Sequence, residues 1–307
     1  MGGLIFHPGL SAYFRRLPPV AGLWLALLAA ACAPAPSGAA AAGRIVDDAG
    51  DTVRLRGPVH RIVSLVPATT ELLFAIGAGS SVVGRTAWCD YPAAARLVPS
   101  MGDGISPNLE AIVAARPDLV VLYQSAQNAE AARRLRALGI PALRLRTDRL
   151  ADVPRLARLV GRLTAHERVA DSVVVAFERG MVAATVPAAG HRPTIFLLVW
   201  DQPPATVGRG SFLTELMRRA GGVNLFDDLA PSSAPVSIEA VAARDPDVIL
   251  LLGDASPAFA SRPEWQSVRA VRTGRFIQAR GSEFSWPSPR APDAIRTLGE
   301  QLTRATR

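Results

Sequence analysis

Short apolar runs alternate with amphipathic stretches along most of the chain. Runs typical of buried strands lie at residues 61–66, 81–84, 119–123, 142–145, 195–199 and 248–252, and turn residues within 44–56 indicate a hairpin. Apolar spacing predicts helices over residues 108–115, 129–138, 151–163 and 291–303. Before them, the turn at 67–71 leads into a helix that has Thr69 or Thr70 as its N-cap and ends near Gly77. This alternation predicts an α/β fold with parallel sheets.

One predicted helix is longer than the others and lies between two similar halves of the sequence. Over residues 166–185 the apolar side chains recur at helical spacing, and no proline interrupts them. Twenty residues span about 30 Å at 1.5 Å per residue, enough to cross a small domain. We expect this helix to join the halves as a stiff connector.

The two halves carry the same motifs in the same order. Leu-Glu-Ala-Ile at 109–112, followed by Pro-Asp-Leu-Val at 117–120, aligns without a gap with residues 238–241 and 246–249. Thr-Glu-Leu-Leu at 70–73 recurs as Thr-Glu-Leu-Met at 214–217. Two copies are too few for a solenoid. The repeat therefore predicts two similar lobes, and a cleft between lobes is a common place for a ligand site.

The N-terminal segment indicates export. Arg15 and Arg16 precede a 12-residue apolar stretch, 20–31, which is shorter than a membrane span of about 20 residues but fits a signal peptide. Small residues lead into Cys32, as at a bacterial lipoprotein processing site, although cleavage within 39–42 would discard that cysteine. We expect a signal peptide at 1–31, a tether at 32–43, an N-terminal lobe at 44–163, a connecting helix at 164–187 and a C-terminal lobe at 188–307.

Composition narrows the function classes. The chain has 307 residues, of which 49% are hydrophobic, enough for two ordinary domains. Lysine is absent, which excludes a P-loop and a Schiff-base lysine. The arginines are scattered without a basic stripe, so nucleic acid is not an expected partner. With two cysteines, one of them Cys32, no disulfide framework is expected.

Aromatic residues follow the predicted strands of both halves, where ligands of α/β sheets bind. They are Trp88, Tyr91, Tyr123, Trp200, Phe284 and Trp286, the last two in a segment with Glu283. Each ring also has a simpler interpretation as a core or lid residue. Rings from both lobes facing one cleft would suit a large, planar, partly apolar ligand.

Glu110 and Glu239 occupy matched positions just after Asn108 and Ser237, which are expected N-caps. A carboxylate in a first helical turn is stabilised by the helix dipole, so this local role alone explains a glutamate there. The four histidines do not pair at ligand spacing, and no metal site is expected. Neither serine-containing loop, 208–212 or 281–283, matches the GxSxG elbow of hydrolases.

From about residue 44 to the C-terminus the chain resembles the periplasmic binding proteins of ABC importers. The resemblance is to the helical-backbone class (class III), which receives cobalamin, iron siderophores and haem. Its motifs here lie at residues 61–72, 89–92, 108–120, 221–226 and 237–247. Within the class, Asp-Tyr-Pro at 90–92 and Gln-Pro-Pro at 202–204 most resemble the cobalamin receptors.

The resemblance implies two Rossmann-like lobes joined by a single long helix, with the ligand cleft between them. It assigns Glu110 and Glu239 as the carboxylates that dock on a permease dimer with its ATPase. It places Tyr91, Tyr123, Phe284 and the loop before Phe212 around the ligand. Position adds further ligand-binding candidates, which are Pro67, Trp88, Trp200, Glu283 and Trp286.

Two departures concern the ligand. Corrinoid receptors often carry a tryptophan before the Asn-Leu-Glu signature, where this chain has Met-Gly-Asp-Gly at 101–104, and another aromatic where it has Pro-Ser-Ser-Ala at 231–234. Trp88, Trp200 and Trp286 would compensate.

The expected function is that of an exported, monomeric substrate-binding protein without a cofactor or a catalytic step. It would be lipid-anchored to the membrane through Cys32, in the periplasm or at the cell surface. Its ligand would be a metal chelate, namely cobalamin or a related corrinoid, delivered to the permease. The alternative within the class is a ferric siderophore or haem receptor, which would use arginines against anionic groups. An exported hydrolase is a remote alternative.

Overall fold

The computed structural model describes residues 43–187, 190–253 and 257–306. The signal peptide predicted at 1–31, the lipidation of Cys32 and all but the last residue of the tether lie outside these ranges.

Thirteen strands are present in the described residues, and most of them are short. They are β1 Arg44–Val46, β2 Thr52–Arg54, β3 Ile62–Ser64, β4 Val82–Arg85, β5 Leu119–Tyr123, β6 Ala142–Leu145, β7 Thr194–Leu198, β8 Trp200–Asp201, β9 Pro204–Thr206, β10 Val223–Asn224, β11 Ala234–Pro235, β12 Val248–Leu252 and β13 Phe276–Ala279.

Nine α-helices accompany the strands in the same ranges. They are α1 Pro67–Ala75, α2 Leu109–Ala114, α3 Ala126–Ala137, α4 Asp152–Thr164, α5 Glu167–Ala184, α6 Phe212–Arg219, α7 Ile238–Arg244, α8 Arg269–Arg272 and α9 Ala291–Ala305.

Two four-stranded parallel sheets have the same topology. The strand order is β4-β3-β5-β6 in the N-terminal lobe and β10-β7-β12-β13 in the C-terminal lobe. Each matching strand takes the same place in its sheet, so the sequence repeat corresponds to a repeated fold. The predicted α/β architecture with two similar lobes is confirmed. The central strands β3, β5, β7 and β12 are mostly apolar along their length, because helices cover both faces of a parallel sheet.

The remaining strands are antiparallel. Strands β1 and β2 form the predicted hairpin, in which Arg44 lies opposite Arg54. In the C-terminal half, β8, β9 and β11 form a small sheet that the N-terminal lobe lacks.

Helix α5 is the predicted long connector, with 18 residues and a length of about 27 Å. Helix α4 packs against it, and the two are separated by Ala165 and His166, of which Ala165 takes a left-handed conformation with φ of 59°. Gly161 makes this contact close, because a Cβ there would lie 2.6 Å from the Cβ of Ala170. The connector is therefore held along its side by α4.

The predicted N-cap of the first helix is wrong. Helix α1 begins at Pro67 after Val66, and no side chain caps it. Proline is pre-organised for the first helical position, so the helix begins before either threonine. The Thr70 hydroxyl donates instead to Ser64 Oγ at 2.9 Å. Helix α3 also begins before residue 129, because Ser125 caps it through the Asn128 amide.

One apolar cluster extends through both lobes. It contains residues of α1, α4, α5, α6 and α9 and the inner faces of both sheets. Two smaller clusters cover the other faces of the sheets. Shared burial along α4, α5 and α9 ties the lobes together beneath the cleft.

Candidate functional site

A cavity of about 500 Å³ lies between the two lobes. It is lined by the ends of β5 and β6 on one side and by the start of α6 and the loop before α9 on the other. The lining residues are Tyr123, Arg146, Thr147, Asp148, Arg149, Asp152, Gly210, Ser211, Phe212, Ser232, Ser285, Trp286 and Pro287. A cleft beyond the carboxyl ends of parallel strands is where an α/β fold places its ligand.

Tyr123 forms part of the N-terminal wall of this cleft. It is the last residue of β5, and it is exposed where the four preceding residues are buried. Its hydroxyl donates to Asp148 Oδ1 at 2.6 Å. Partial burial of the phenol, together with the neighbouring Asp148 carboxylate, raises the pKa of Tyr123 to about 12. The phenol is therefore neutral and held in one orientation at physiological pH.

The loop after β6 completes the N-terminal wall. Asp152 Oδ2 accepts hydrogen bonds from the backbone amides of Asp148 and Arg149, at 3.1 and 3.0 Å. These bonds fix the loop at the start of α4. They leave the side chains of Arg146 and Arg149 exposed on the cleft wall, and within the described ranges neither guanidinium forms an ion pair.

The C-terminal wall is built around the start of α6. Ser211 caps this helix through the Leu213 amide at 3.2 Å, and Thr214 Oγ1 donates to the carbonyl of Gly208 at 2.7 Å. A Cβ on Gly208 would lie 2.3 Å from the carbonyl oxygens of residues 229 and 231. This tight packing fixes the loop that presents Phe212 to the cleft.

A second cavity of about 380 Å³ shares part of this lining and extends it. Arg149 of the N-terminal lobe and Arg209 and Arg218 of the C-terminal lobe line it, together with Glu215 and Asp227. Arginines of both lobes thus border one continuous cleft.

A network at the edge of the cleft connects the lobes. Glu71 of α1 accepts hydrogen bonds from Trp286 Nε1 at 2.8 Å and from Arg290 Nε and Nη2 at 3.0 and 2.8 Å. Arg290 also donates to Glu283 and lies over the ring of Tyr91, with Cζ 3.9 Å from the centroid. Burial by itself lowers the pKa of the Arg290 guanidinium. The Glu71 and Glu283 carboxylates raise that pKa by more than burial lowers it, so the net shift is upward.

Sequence reasoning missed Glu71 and Arg290 as site residues. A glutamate in the apolar first turns of α1 was the available signal, because a charge in such a segment needs a partner. The partner itself lies 219 residues further along the chain, beyond any local pattern.

The predicted ligand-binding residues fall into three groups. Tyr123, Phe212 and Trp286 line the cavity. Five others do not line it. Pro67 begins α1, and Trp88 and Trp200 are 62% and 64% exposed. Tyr91 stacks on Arg290, and Glu283 pairs with Arg290.

Phe284 forms the third group, because it is buried away from the cavity. Its side chain is 1% exposed and packs in the apolar cluster shared by the lobes. A short 3-10 turn at Ser282–Phe284 directs this ring into the core, while Trp286, two residues later, reaches the cleft. Phe284 therefore supports the cleft wall from behind and is not accessible to a ligand.

Glu110 and Glu239 are exposed in the first turns of α2 and α7. The predicted caps are confirmed: Asn108 Oδ1 accepts from the Ala111 amide at 3.0 Å, and Ser237 Oγ from the Ala240 amide at 3.1 Å. The pKa of Glu239 is lowered by its own backbone amide and by the Ser237 hydroxyl. Both helices directly precede a central strand of their sheet, β5 or β12.

The part of the chain that the structure describes holds no cluster of three or more His, Cys, Asp or Glu side chains arranged to bind a metal ion. No helix within those ranges is both long enough and apolar enough to cross a bilayer. Cys89 is buried between the hydroxyls of Thr70 and Thr86, with Sγ 3.1 and 3.2 Å from them.

Comparison with known proteins agrees with this architecture. The sequence profile of the periplasmic binding protein family matches residues 62–282. The vitamin B12-binding protein of Pectobacterium carotovorum is 26% identical over 247 residues, covering 80% of this chain and 88% of that protein. The ABC transporter substrate-binding lipoprotein YvrC of Bacillus subtilis is 26% identical over 305 residues, covering 92% and 96%.

A solved structure shares the fold. The periplasmic heme-binding protein RhuT of Roseiflexus sp. RS-1 superposes with a TM-score of 0.74 and 25% identity, over 81% of this chain and 99% of that one. With the profile match over more than half of the sequence, the two-lobed fold identifies this chain as a member of the periplasmic binding protein family, the solute-binding proteins of ABC importers.

Proposed function

We propose that this protein captures cobalamin or a related corrinoid in the cleft between its lobes and delivers it to an ABC permease. The observation that carries the proposal is the set of rings on opposite walls of one cavity, with Tyr123 on one lobe and Phe212 and Trp286 on the other. Flat apolar rings beside fixed polar groups suit a large planar ligand. The similarity to vitamin B12-binding proteins supports the same ligand class.

Calorimetry tests the ligand. Titration with cyanocobalamin, haem and a ferric hydroxamate compares the three candidates under the same conditions. Saturable heat with cyanocobalamin is the expected result. Binding of haem or the hydroxamate with no heat from the corrinoid would reject the assignment.

The arginines favour a second candidate, an anionic chelate such as haem or a ferric siderophore. Arg146 and Arg149 on one wall and Arg209 on the other carry guanidinium groups suited to carboxylates and other planar anions. The heme-binding neighbour RhuT supports this alternative. Arg149→Gln separates the candidates, since it would weaken binding of an anionic chelate more than tenfold while changing corrinoid affinity only slightly.

For delivery of the ligand, Glu110 and Glu239 dock one lobe on each subunit of a two-fold permease, which works with an ATPase. Cys32, once acylated, anchors the exported monomer to the membrane, and the lipoprotein name of YvrC supports this anchor. Mass spectrometry of the membrane fraction tests it: an unlipidated chain that begins well after Cys32 would reject it.

A further inference from the structure

Glu71 lies where the two lobes meet at the edge of the cleft. Its helix α1 belongs to the N-terminal lobe, yet every side-chain hydrogen bond to its carboxylate comes from residues 286 and 290 of the C-terminal half. The side chain is 3% exposed. Burying a carboxylate costs free energy unless hydrogen-bond donors satisfy its oxygens, so Glu71 requires these donors to stay in place.

The carboxylate is shared between two different donors. Oε1 accepts from Trp286 Nε1 and from Arg290 Nη2, both at 2.8 Å, while Oε2 accepts from Arg290 Nε at 3.0 Å. Arg290 cannot turn away, because Ser282 Oγ and Glu283 accept its remaining bonds and Tyr91 covers one face of the guanidinium. Arg290 thus holds the Glu71 carboxylate in a single orientation.

Trp286 is the residue through which this network reaches the ligand site. Its indole N–H is bonded to Glu71, while the side chain lines the inter-lobe cavity. An indole has only one donor, so this bond selects one orientation for a ring that also packs against the apolar cluster shared by the lobes. Without it, the exposed part of the ring could rotate about its side-chain torsions, and a stacking surface would no longer be preset.

We propose that Glu71 is a positioning residue for ligand capture, holding the Trp286 ring against the cleft from the opposite lobe. This inference rests on the proposed function, because it takes the inter-lobe cavity as the ligand site. Glu71 itself lies outside the cavity lining and acts through Trp286, while Arg290 holds the Glu71 carboxylate in place through two hydrogen bonds.

A double-mutant cycle on ligand affinity tests the proposal. Glu71→Met removes both acceptor oxygens and keeps an unbranched side chain of similar length, and Trp286→Phe keeps a ring but removes the N–H. Each single variant should weaken cyanocobalamin binding about tenfold, as expected for the loss of one charge-assisted hydrogen bond. In the Trp286→Phe background, Glu71→Met should cause no further loss. Additive losses would overturn the proposal.

A spectroscopic measurement tests it without a ligand. With 5-fluorotryptophan incorporated into the full chain, the Trp286 resonance is identified by its disappearance in Trp286→Phe. Glu71→Met should shift or broaden that resonance and leave the resonance of the buried Trp265 in place. An unchanged Trp286 resonance would overturn the proposal. If Glu71→Met does not fold, Arg290→Lys carries the same test, because it removes the guanidinium fork that orients the carboxylate.

Asp51→Asn is the matched control. Asp51 is likewise a carboxylate held by arginine, here Arg136 and Arg144, each at 2.8 Å, and it does not line the cleft. It should change neither cyanocobalamin affinity nor the Trp286 resonance. Absence of cyanocobalamin binding by the unaltered protein would reject the corrinoid assignment, and the fluorine spectrum would still decide the positioning role.

Discussion

The two copies of the Thr-Glu-Leu motif place a glutamate at the same point of each lobe, yet the two side chains do different things. Glu71 in α1 is 3% exposed and bonds to residues of the opposite lobe. Glu215 in α6 is 27% exposed and pairs at 2.9 Å with Arg219, one turn later in its own helix. The same local sequence therefore yields an inter-lobe contact in one copy and a local ion pair in the other.

A second matched pair differs in the same way. Strands β5 and β12 occupy equivalent places in their sheets, but β5 ends in Tyr123, which lines the cleft, and β12 ends in Leu252, which packs against the core. The two lobes share the same backbone topology. The side chains that line the cleft lie at positions where the two halves of the sequence differ, as Tyr123 and Leu252 do.

Glu110 and Glu239 are the pair that stayed alike, and reversing both should have the largest effect on function. We expect Glu110→Arg with Glu239→Arg to reduce uptake by reconstituted permease vesicles more than tenfold and to leave ligand affinity unchanged. Charges of this kind orient an encounter complex more than they add affinity. Transport of ligand per folded molecule is the measurement.

Glu178→Arg with Glu300→Arg is the control for this experiment, since both residues are exposed and the charge change is the same. Normal uptake by the folded Glu110/Glu239 variant would leave only the helix-dipole role for these carboxylates.

Removing the two Thr-Glu-Leu glutamates should sharpen the difference between the lobes. Glu71→Ala leaves Arg290 and the Trp286 N–H without their shared acceptor, so we expect a loss of about 3–5 kcal/mol in the free energy of unfolding. Glu215→Ala removes one partly exposed helix pair and should cost about 0.2–0.5 kcal/mol. Denaturant unfolding of both variants measures this, and equal losses would contradict the asymmetry.

The matched helix caps should behave alike. Asn108→Ala and Ser237→Ala each leave one amide of a short helix without its side-chain acceptor, and each should cost about 1 kcal/mol. Because the two caps belong to different lobes, their effects should add in the double variant. A loss at only one cap, measured by denaturant unfolding, would show that the repeat is not equivalent at this point.

Tyr123 should have the smallest effect, confined to high pH. Its pKa is about 12 in the folded protein and 10.0 as a reference value, so between these values the unfolded chain releases a proton that the folded chain keeps. The unfolded state then binds fewer protons, and stability falls as pH rises through this window. Below it, Tyr123→Phe should leave the pH dependence of stability unchanged.

Phenolate absorbance, as a difference between the unaltered protein and Tyr123→Phe, measures this ionisation. A midpoint near 10 would show that neither burial nor Asp148 perturbs the group. No corresponding signal is expected at the end of β12, where Leu252 takes the matching place.

Much of the fold could be predicted from local pattern. The strands at 119–123, 142–145 and 248–252 were predicted to the residue, because an apolar run bounded by turn residues is decided by its own sequence. The caps Asn108 and Ser237 were predicted because capping is an interaction over three residues. The start of α1 was predicted wrongly. Thr69 and Thr70 are both suitable N-cap residues, but the helix begins before them at Pro67, which suits the first helical position.

The site was less predictable. Aromatic residues after strands indicated the cleft, and of these Tyr123 and Trp286 do line it, as does Phe212, which the family resemblance implied. The same reasoning also selected Phe284, which the short turn at Ser282–Phe284 directs into the core. Position relative to a strand predicts the end of a sheet, but it does not predict the direction of a side chain in an irregular loop.

Local sequence patterns were enough to define the elements, the repeat and the family motifs, since each of these is written in short runs of neighbouring residues. Which face of each loop meets the cleft, and which charges pair across it, depended on how distant parts of the chain pack together. Glu71 and Arg290 are 219 residues apart, and their bond exists because α1 and the segment before α9 approach each other at the junction of the lobes. Burial then makes that contact selective, because a carboxylate removed from water must find donors wherever the fold supplies them.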